Sequence, residues 1–293
     1  MDMTIIGISA GIIGAAMGSF AGAQVWRLRA SQLKADKAQG EPVDSAEYKR
    51  LKPLMGRTVR GDRSTCLACG HTLHWYDLLP IVSWLMLRGK CRYCRTPIGW
   101  TELVVELVMA GLFVATVLAW PGSLANPLEW IKLGLWLVAL VTLVINFMYD
   151  ARWFLLVSGL NWTLIGCGAV FAGITLFQAD NTVASLWSLL GAVAILGGLY
   201  GVLWLYSRGK WVGEGDIYLG TGLALFLADW QLAFVALFVA NLVGTLAILP
   251  QLLTKKLERG SHVPFGPLLI IGFLTAWFFG RAIVSWYTQI VFF

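Results

Sequence analysis

The sequence predicts an all-α polytopic membrane protein with about eight transmembrane helices and one small soluble module between the first two. Three observations lead there. Of 293 residues, 58% are hydrophobic and 13% charged, whereas an average soluble domain has about 45–50% and about 25%. The mean hydropathy of +0.72 agrees. There is too little polar surface to clothe a globule in water, and far too much apolar sequence for a disordered chain. Apolar runs near the membrane-crossing length of about 20 residues recur, and the cations gather in particular connections between them.

The runs lie near Ile5 to Val25, Leu103 to Ala119, Ile131 to Met148, Leu155 to Leu176, Val183 to Tyr206, Ile217 to Leu227, Leu232 to Leu253 and Leu268 to the C-terminus. The sixth is short. Glycines inside them, such as Gly14, Gly18 and Gly168, suit closely packed membrane helices. The first run has only Asp2 before it and its cations after it, the reverse of a cleaved signal peptide, so it is expected to stay as an anchor.

Only one connection is long, and it divides the chain into a first helix (1–26), a loop (27–101) and a membrane core (102–293). Of 22 Lys and Arg, 14 lie between Arg27 and Arg95. If that loop is cytoplasmic, alternate connections are too. Their Arg152, Arg208, Lys210, Lys255, Lys256 and Arg259 raise the count to 20 of 22, leaving Lys132 and Arg281. The positive-inside rule then places both termini outside the cytoplasm. The net charge of +6 is explained by topology and anionic membrane lipid, with no nucleic-acid partner expected.

Within the loop, Ala30 to Met55 reads as a short helical or flexible connector, with a turn at Gln39-Gly40-Glu41-Pro42. Beyond it come Cys66-Leu-Ala-Cys69 and Cys91-Arg-Tyr-Cys94. Two such knuckles place four thiolates tetrahedrally around one zinc ion, so the loop is expected to be a small cytoplasmic zinc-binding domain at about residues 64–98. Two disulfides are the competing reading, disfavoured on a reducing side of the membrane. A module this small draws its folding energy from the metal. His71 and His74 are expected beside the cluster, and Cys167, alone in an apolar run, as a small buried hydrophobe.

Ionisable groups in or beside membrane spans are functional candidates because their burial is costly. Glu102, Glu106, Asp150, Glu214 and Asp216 fall at cytoplasmic ends. Asp150 ends the third run and Asp216 opens the sixth. The chain crosses out and back between them, so both carboxylates lie at one face. Two carboxylates there are the minimum for an aspartic protease, one activating water and the other donating a proton to the scissile carbonyl. Asp216 stands in Gly213-Glu214-Gly215-Asp216, where Gly213 and Gly215 open the helix start to an extended substrate.

With these residues the chain resembles the type IV prepilin peptidases, bacterial membrane aspartic proteases with a GxGD motif. The resemblance runs nearly the whole length. It includes Gly18-Ser19-Phe20 with Arg27, both Cys pairs, His74-Trp75-Tyr76-Asp77 through Pro80, and Ser83-Trp84-Leu85. Leu87-Arg88-Gly89-Lys90, Val105-Glu106-Leu107, Asp150, the Gly213 to Asp216 motif and Pro264-Phe265-Gly266-Pro267 complete it. It implies an endopeptidase of the bacterial cytoplasmic membrane that removes the basic leader of prepilins and pseudopilins, cutting after a glycine, with Asp150 and Asp216 as the catalytic pair. It also implies N-methylation of the new terminus by many members, using S-adenosylmethionine.

The chain departs from the family pattern in three places. Ala21-Gly22-Ala23 replaces an Asn in the first span, Val157-Ser158 replaces a Pro-Asp pair after Asp150, and Tyr218 replaces a Lys after the motif. Without the resemblance, the Asp pair also suits a transporter or channel relaying protons or cations, with the loop as a gate. Depth separates the two readings: transport sites lie near mid-membrane, while both acids here lie at its edge. A non-enzymatic assembly factor is the third reading.

Overall fold

The protein is described by a computed structural model, covering residues 3–55, 63–253 and 264–292. It divides into two compact units, Met1–Trp120 and Pro121–Phe293. Seven helices among the described residues have the length and composition to cross a membrane.

In the first unit, α1 (Met3–Ala38) packs along α4 (Trp100–Leu118). A β-carbon at Gly14 would come within 2.6 Å of the Met109 carbonyl oxygen, and one at Gly18 within 2.7 Å of Glu106 Cα. Their small size therefore lets the two backbones meet, the usual device where lipid provides no hydrophobic drive between helices. At 36 residues α1 is about 54 Å long, far more than a ~30 Å hydrocarbon core needs.

The helix continues because its last turns have something to pack against. Ala30 and Leu33 bury with Leu51 of α2 (Ser45–Leu51), and Trp26, Val43, Tyr48 and Leu67 pack around them. Asp44 caps α2 by accepting from the Ala46 N–H at 2.8 Å, and Arg29 grips Glu47 through two contacts of 2.6 and 3.1 Å. The turn falls at the expected place, with Gly40 at φ +79°. The connector is thus a small helical hairpin. The short helix α3 (Val82–Met86) lies between the two Cys knuckles.

In the second unit, α5 (Pro127–Trp153) is the most interior span: 56% of its apolar window is buried, against 28–33% for the other spans. Asn126 caps it through the Leu128 N–H, and Pro127 occupies the first turn, where a missing N–H costs nothing. Trp136, fully buried, stacks on Trp277 at 3.7 Å and meets Phe226 and Phe273.

Around α5 run α6 (Ser158–Phe177), then α7 (Thr182–Val193) and α8 (Leu199–Ser207), joined by a π turn at Ala194–Gly198 into one span. Next come α9 (Glu214–Leu227), α10 (Trp230–Leu253) and α11 (Phe265–Phe292). The short sixth run is α9, 14 residues or about 21 Å. Leu219, Gly220, Gly222, Leu223, Ala224, Phe226 and Leu227 are buried there, so neighbouring helices shield most of its length from lipid.

Candidate active site

Asp150 sits in the last turn of α5, 5% exposed, and its carbonyl accepts from the Phe154 N–H as the helix ends. Phe154 takes a left-handed conformation, φ +57°, which turns the chain sharply into the loop toward α6. Asp216 lies in the first turn of α9. Its Oδ2 accepts from the Gly213 N–H at 3.3 Å, while its own N–H donates to the Gly213 carbonyl at 3.2 Å. The sharp turn at one helix end and the cap at the other bring the two residues to one place: Leu156 packs against Gly215, the neighbour of Asp216, and against Gly266, which bonds Asp150. Gly213 and Gly215 flank the start of α9, as the motif suggests.

Two further residues complete the geometry, and sequence reasoning assigned neither a role. The Gly266 N–H, in the first turn of α11, donates to Asp150 Oδ2 at 3.0 Å. It is one of the N–H groups that a helix start leaves without an internal partner. A β-carbon at Gly266 would stand 2.7 Å from that same oxygen. Leu156, in the loop after α5, fills the space beside two glycines: a β-carbon at Gly215 would be 2.9 Å from its Cβ, and one at Gly266 would be 3.2 Å from its Cδ2. The buried Tyr200 ring lies 5.3 Å from Phe265. The only sequence hint of these contacts is the Pro264-Phe265-Gly266-Pro267 string, which carries no titratable group.

The other acids are engaged elsewhere. Glu214 is exposed and accepts from the Tyr218 hydroxyl at 2.7 Å. In the first unit, buried Glu106 accepts from the Ile81 N–H at 2.7 Å. Ile81 has φ +61°, rare for a β-branched residue, so Glu106 holds a strained turn of the loop module against α4. Glu102 lies in the first turn of α4.

The four cysteines converge. The sulfurs of Cys66, Cys69, Cys91 and Cys94 all lie within 4.8 Å of one another, none is in a disulfide, and no other residue belongs to the cluster among the described residues. A tetrahedral Zn–S shell at about 2.3 Å requires sulfurs about 3.8 Å apart; Cys66 and Cys94 are at 3.9 Å. The two knuckles repeat one backbone pattern. The Gly70 N–H donates to the Cys66 carbonyl and the Arg95 N–H to the Cys91 carbonyl, with Gly70 and Arg95 both at positive φ. The Thr96 hydroxyl beside Cys94 pulls that thiol down to about 6, toward the thiolate that binds metal. The site therefore fits a closed structural metal ion.

His71 and His74 stand outside the cluster, His71 with its ring 3.6 Å from Tyr93. Asp77 ties the intervening segment to the second knuckle, accepting from Arg92 at 2.7 Å, Tyr93 at 3.0 Å and the His74 N–H at 3.2 Å. Desolvation pushes its carboxyl up, but these three donors outweigh it and hold the group below its usual range. Beside the module a cavity of about 300 Å³ is lined by Ser19, Asp77, Trp84, Arg92, Glu102 and Glu106.

Comparison with known proteins gives this geometry a family. The description of the bacterial peptidase A24 N-terminal domain matches residues 12–120, nearly the span of the first unit. The prepilin leader peptidase/N-methyltransferase of Aeromonas hydrophila is 31% identical over 251 residues, 84% of this chain and 79% of its own. The protein of that name in Burkholderia pseudomallei strain 1026b is 30% identical over 283 residues, 92% and 84% of the two chains. A type 4 prepilin-like proteins leader peptide-processing enzyme of Escherichia coli O78:H11 is 32% identical over 216 residues, 72% and 73%. No solved structure matches the chain significantly. With that identity over most of both chains, the protein belongs to the type IV prepilin peptidase family.

Proposed function

We propose that the protein is a membrane aspartic endopeptidase that removes the basic leader of prepilins or pseudopilins at the cytoplasmic face, after a glycine, with Asp150 and Asp216 as the catalytic pair. The observation that carries the reading is the convergence of these two carboxylates at the ends of α5 and α9. Two carboxylates sharing one site favour a state with one shared proton. The ionised member takes a proton from water, which attacks the scissile carbonyl, and the protonated member donates to the carbonyl oxygen. The Gly266 N–H fixes one Asp150 oxygen and leaves the other free for this exchange. Gly213 adds no side chain to the approach to Asp216 and so leaves room there for an extended peptide, whereas Gly215 admits Leu156 against the start of α9.

The cytoplasmic orientation follows from the cations, 20 of 22 of which fall on the dyad side if the loop is cytoplasmic. The four cysteines hold a structural zinc; four thiolates leave no open position, so the metal takes no part in cleavage. Relatives named for N-methyltransferase activity as well suggest a second reaction. The cavity of the first unit has the groups a sulfonium methyl donor requires, namely the Glu102 and Glu106 carboxylates and the Trp84 ring for its cation. S-adenosylmethionine, when bound, supplies an electrophilic methyl group for the new N-terminal amine.

The test is incubation of the detergent-solubilised protein with a prepilin, followed by mass spectrometry. Loss of the leader mass supports the reading; an intact substrate beside a cleaved control reaction with a known family member rejects it.

A further inference from the structure

We propose that Asn146 and Asn161 form a buried amide clamp that positions the two carboxylates of the dyad, a role that rests on the peptidase reading above. Both side chains are 0% exposed. Asn146 lies one helical turn before Asp150 on α5, on the same face. Its Nδ2 donates to Asn161 Oδ1 at 3.0 Å, and its Oδ1 accepts from the Val157 N–H at 3.4 Å. Asn161, in the first turn of α6, donates in turn to the Gly215 carbonyl at 3.2 Å. That carbonyl belongs to the Gly215–Asp216 peptide bond. A continuous set of hydrogen bonds thus runs from the turn below one aspartate, through α6, to the peptide bearing the other, and fixes the loop that carries Leu156 on the way.

Packing alone does not call for two amides here. A buried amide without partners is costly, and an apolar pair of similar shape is close to neutral in its place. What a satisfied polar pair adds is direction, since only one arrangement pairs its donors and acceptors. Direction matters at this point because the start of α9 is held by two glycines, the residues least able to fix a backbone by themselves. A displacement of about 1 Å between reacting groups can cost about 100-fold in rate.

Leucine variants separate positioning from packing. Asn161→Leu and Asn146→Leu each strand one amide, so both should lower thermal stability and kcat. The double variant replaces the pair with apolar contact and should regain part of the stability, since the Val157 N–H and Gly215 carbonyl lose their amide partners, yet keep kcat about 10–100-fold below the parent with KM little changed, because the Gly215 tether is still missing. A second arm needs no substrate. In full-length protein carrying Asp150→Cys and Asp216→Cys, the rate of oxidative cross-linking between the two positions, read by peptide mass, should fall several-fold when Asn161→Leu is added. Failure of the parent to cleave any prepilin would reject the proposed function and leave this arm able to decide the clamp. An unchanged cross-linking rate, or a kcat that recovers together with stability in the double variant, overturns the clamp.

Discussion

At the scale of single residues, the dyad works as one unit. Asn at position 150 or 216 keeps the size and the capacity to accept from Gly266 or Gly213, but it cannot exchange the shared proton. Asp150→Asn and Asp216→Asn should each nearly abolish prepilin cleavage in a mass-shift assay. The double change should be little worse than either one, as for residues that act together, while membrane insertion survives. Cleavage by Asp150→Asn at near the parent rate would make Glu214 and Glu106 the next candidates. Gly266→Ala tests the backbone donor: the new β-carbon would stand 2.7 Å from Asp150 Oδ2, so carboxylate or helix start must move. A kcat loss of about tenfold or more, without loss of folded protein, is expected. The contrast between these residues explains what the sequence disclosed. Asp150 and Asp216 stood out as candidates because an ionisable group beside a span is a functional candidate and the glycines around Asp216 mark a broken helix start. The Gly266 N–H did not, because every residue except proline carries the same donor and only the fold decides where it points.

At the scale of elements, the loop module is held by different forces at its two ends. Toward α1 it rests on an apolar cluster, with Leu51 fully buried between Ala30 and Leu33. Toward α4 it rests on Glu106 gripping Ile81, and four converging sulfurs tie its two knuckles to each other. Replacing any one of Cys66, Cys69, Cys91 or Cys94 by Ser should lower bound zinc in purified protein. Chelation should raise hydrogen exchange across residues 64–98 while leaving α5 to α11 protected, since metal binding and local folding are one equilibrium here. Absence of zinc, with all four thiols alkylated in the native state, would reject the metal site. The knuckles were legible because their ligand spacing is a chemical requirement. The hairpin before them was only half legible: its three central residues come from two helices separated by a turn, and neither helix alone shows a full apolar period.

At the scale of the whole molecule, the question is whether α9 crosses, since 14 residues span only about 21 Å of a ~30 Å core. The neighbours of α9 answer it within the second unit. Gly168 lies against Leu225, Gly222 against Leu164, and Asn161 bonds Gly215, so α9 runs parallel to α6 along most of its length, both helices leaving the dyad face. Gly244 meets Leu268, Gly272 meets Ala240 and Gly280 meets Leu232, so α10 and α11 are antiparallel. Because α11 starts on Asp150 through Gly266, α10 must run toward the dyad and begin at the opposite face. Only α9 connects the dyad face to that beginning, so it completes the traverse despite its length, shielded by the helices around it. The run pattern could count α9 as a short span but could not show this, because its crossing is enforced by packing and not by hydropathy. The consequence concerns orientation. With α11 leaving the dyad face, a reporter active only outside the cytoplasm should be active when fused after Phe293 or inserted after Ala179, and silent when inserted after Gly209, where Arg208 and Lys210 mark the dyad side. A cytoplasmic signal from the Phe293 fusion would mean that the dyad faces outward, and with it the cytoplasmic cleavage proposed for this enzyme would fail.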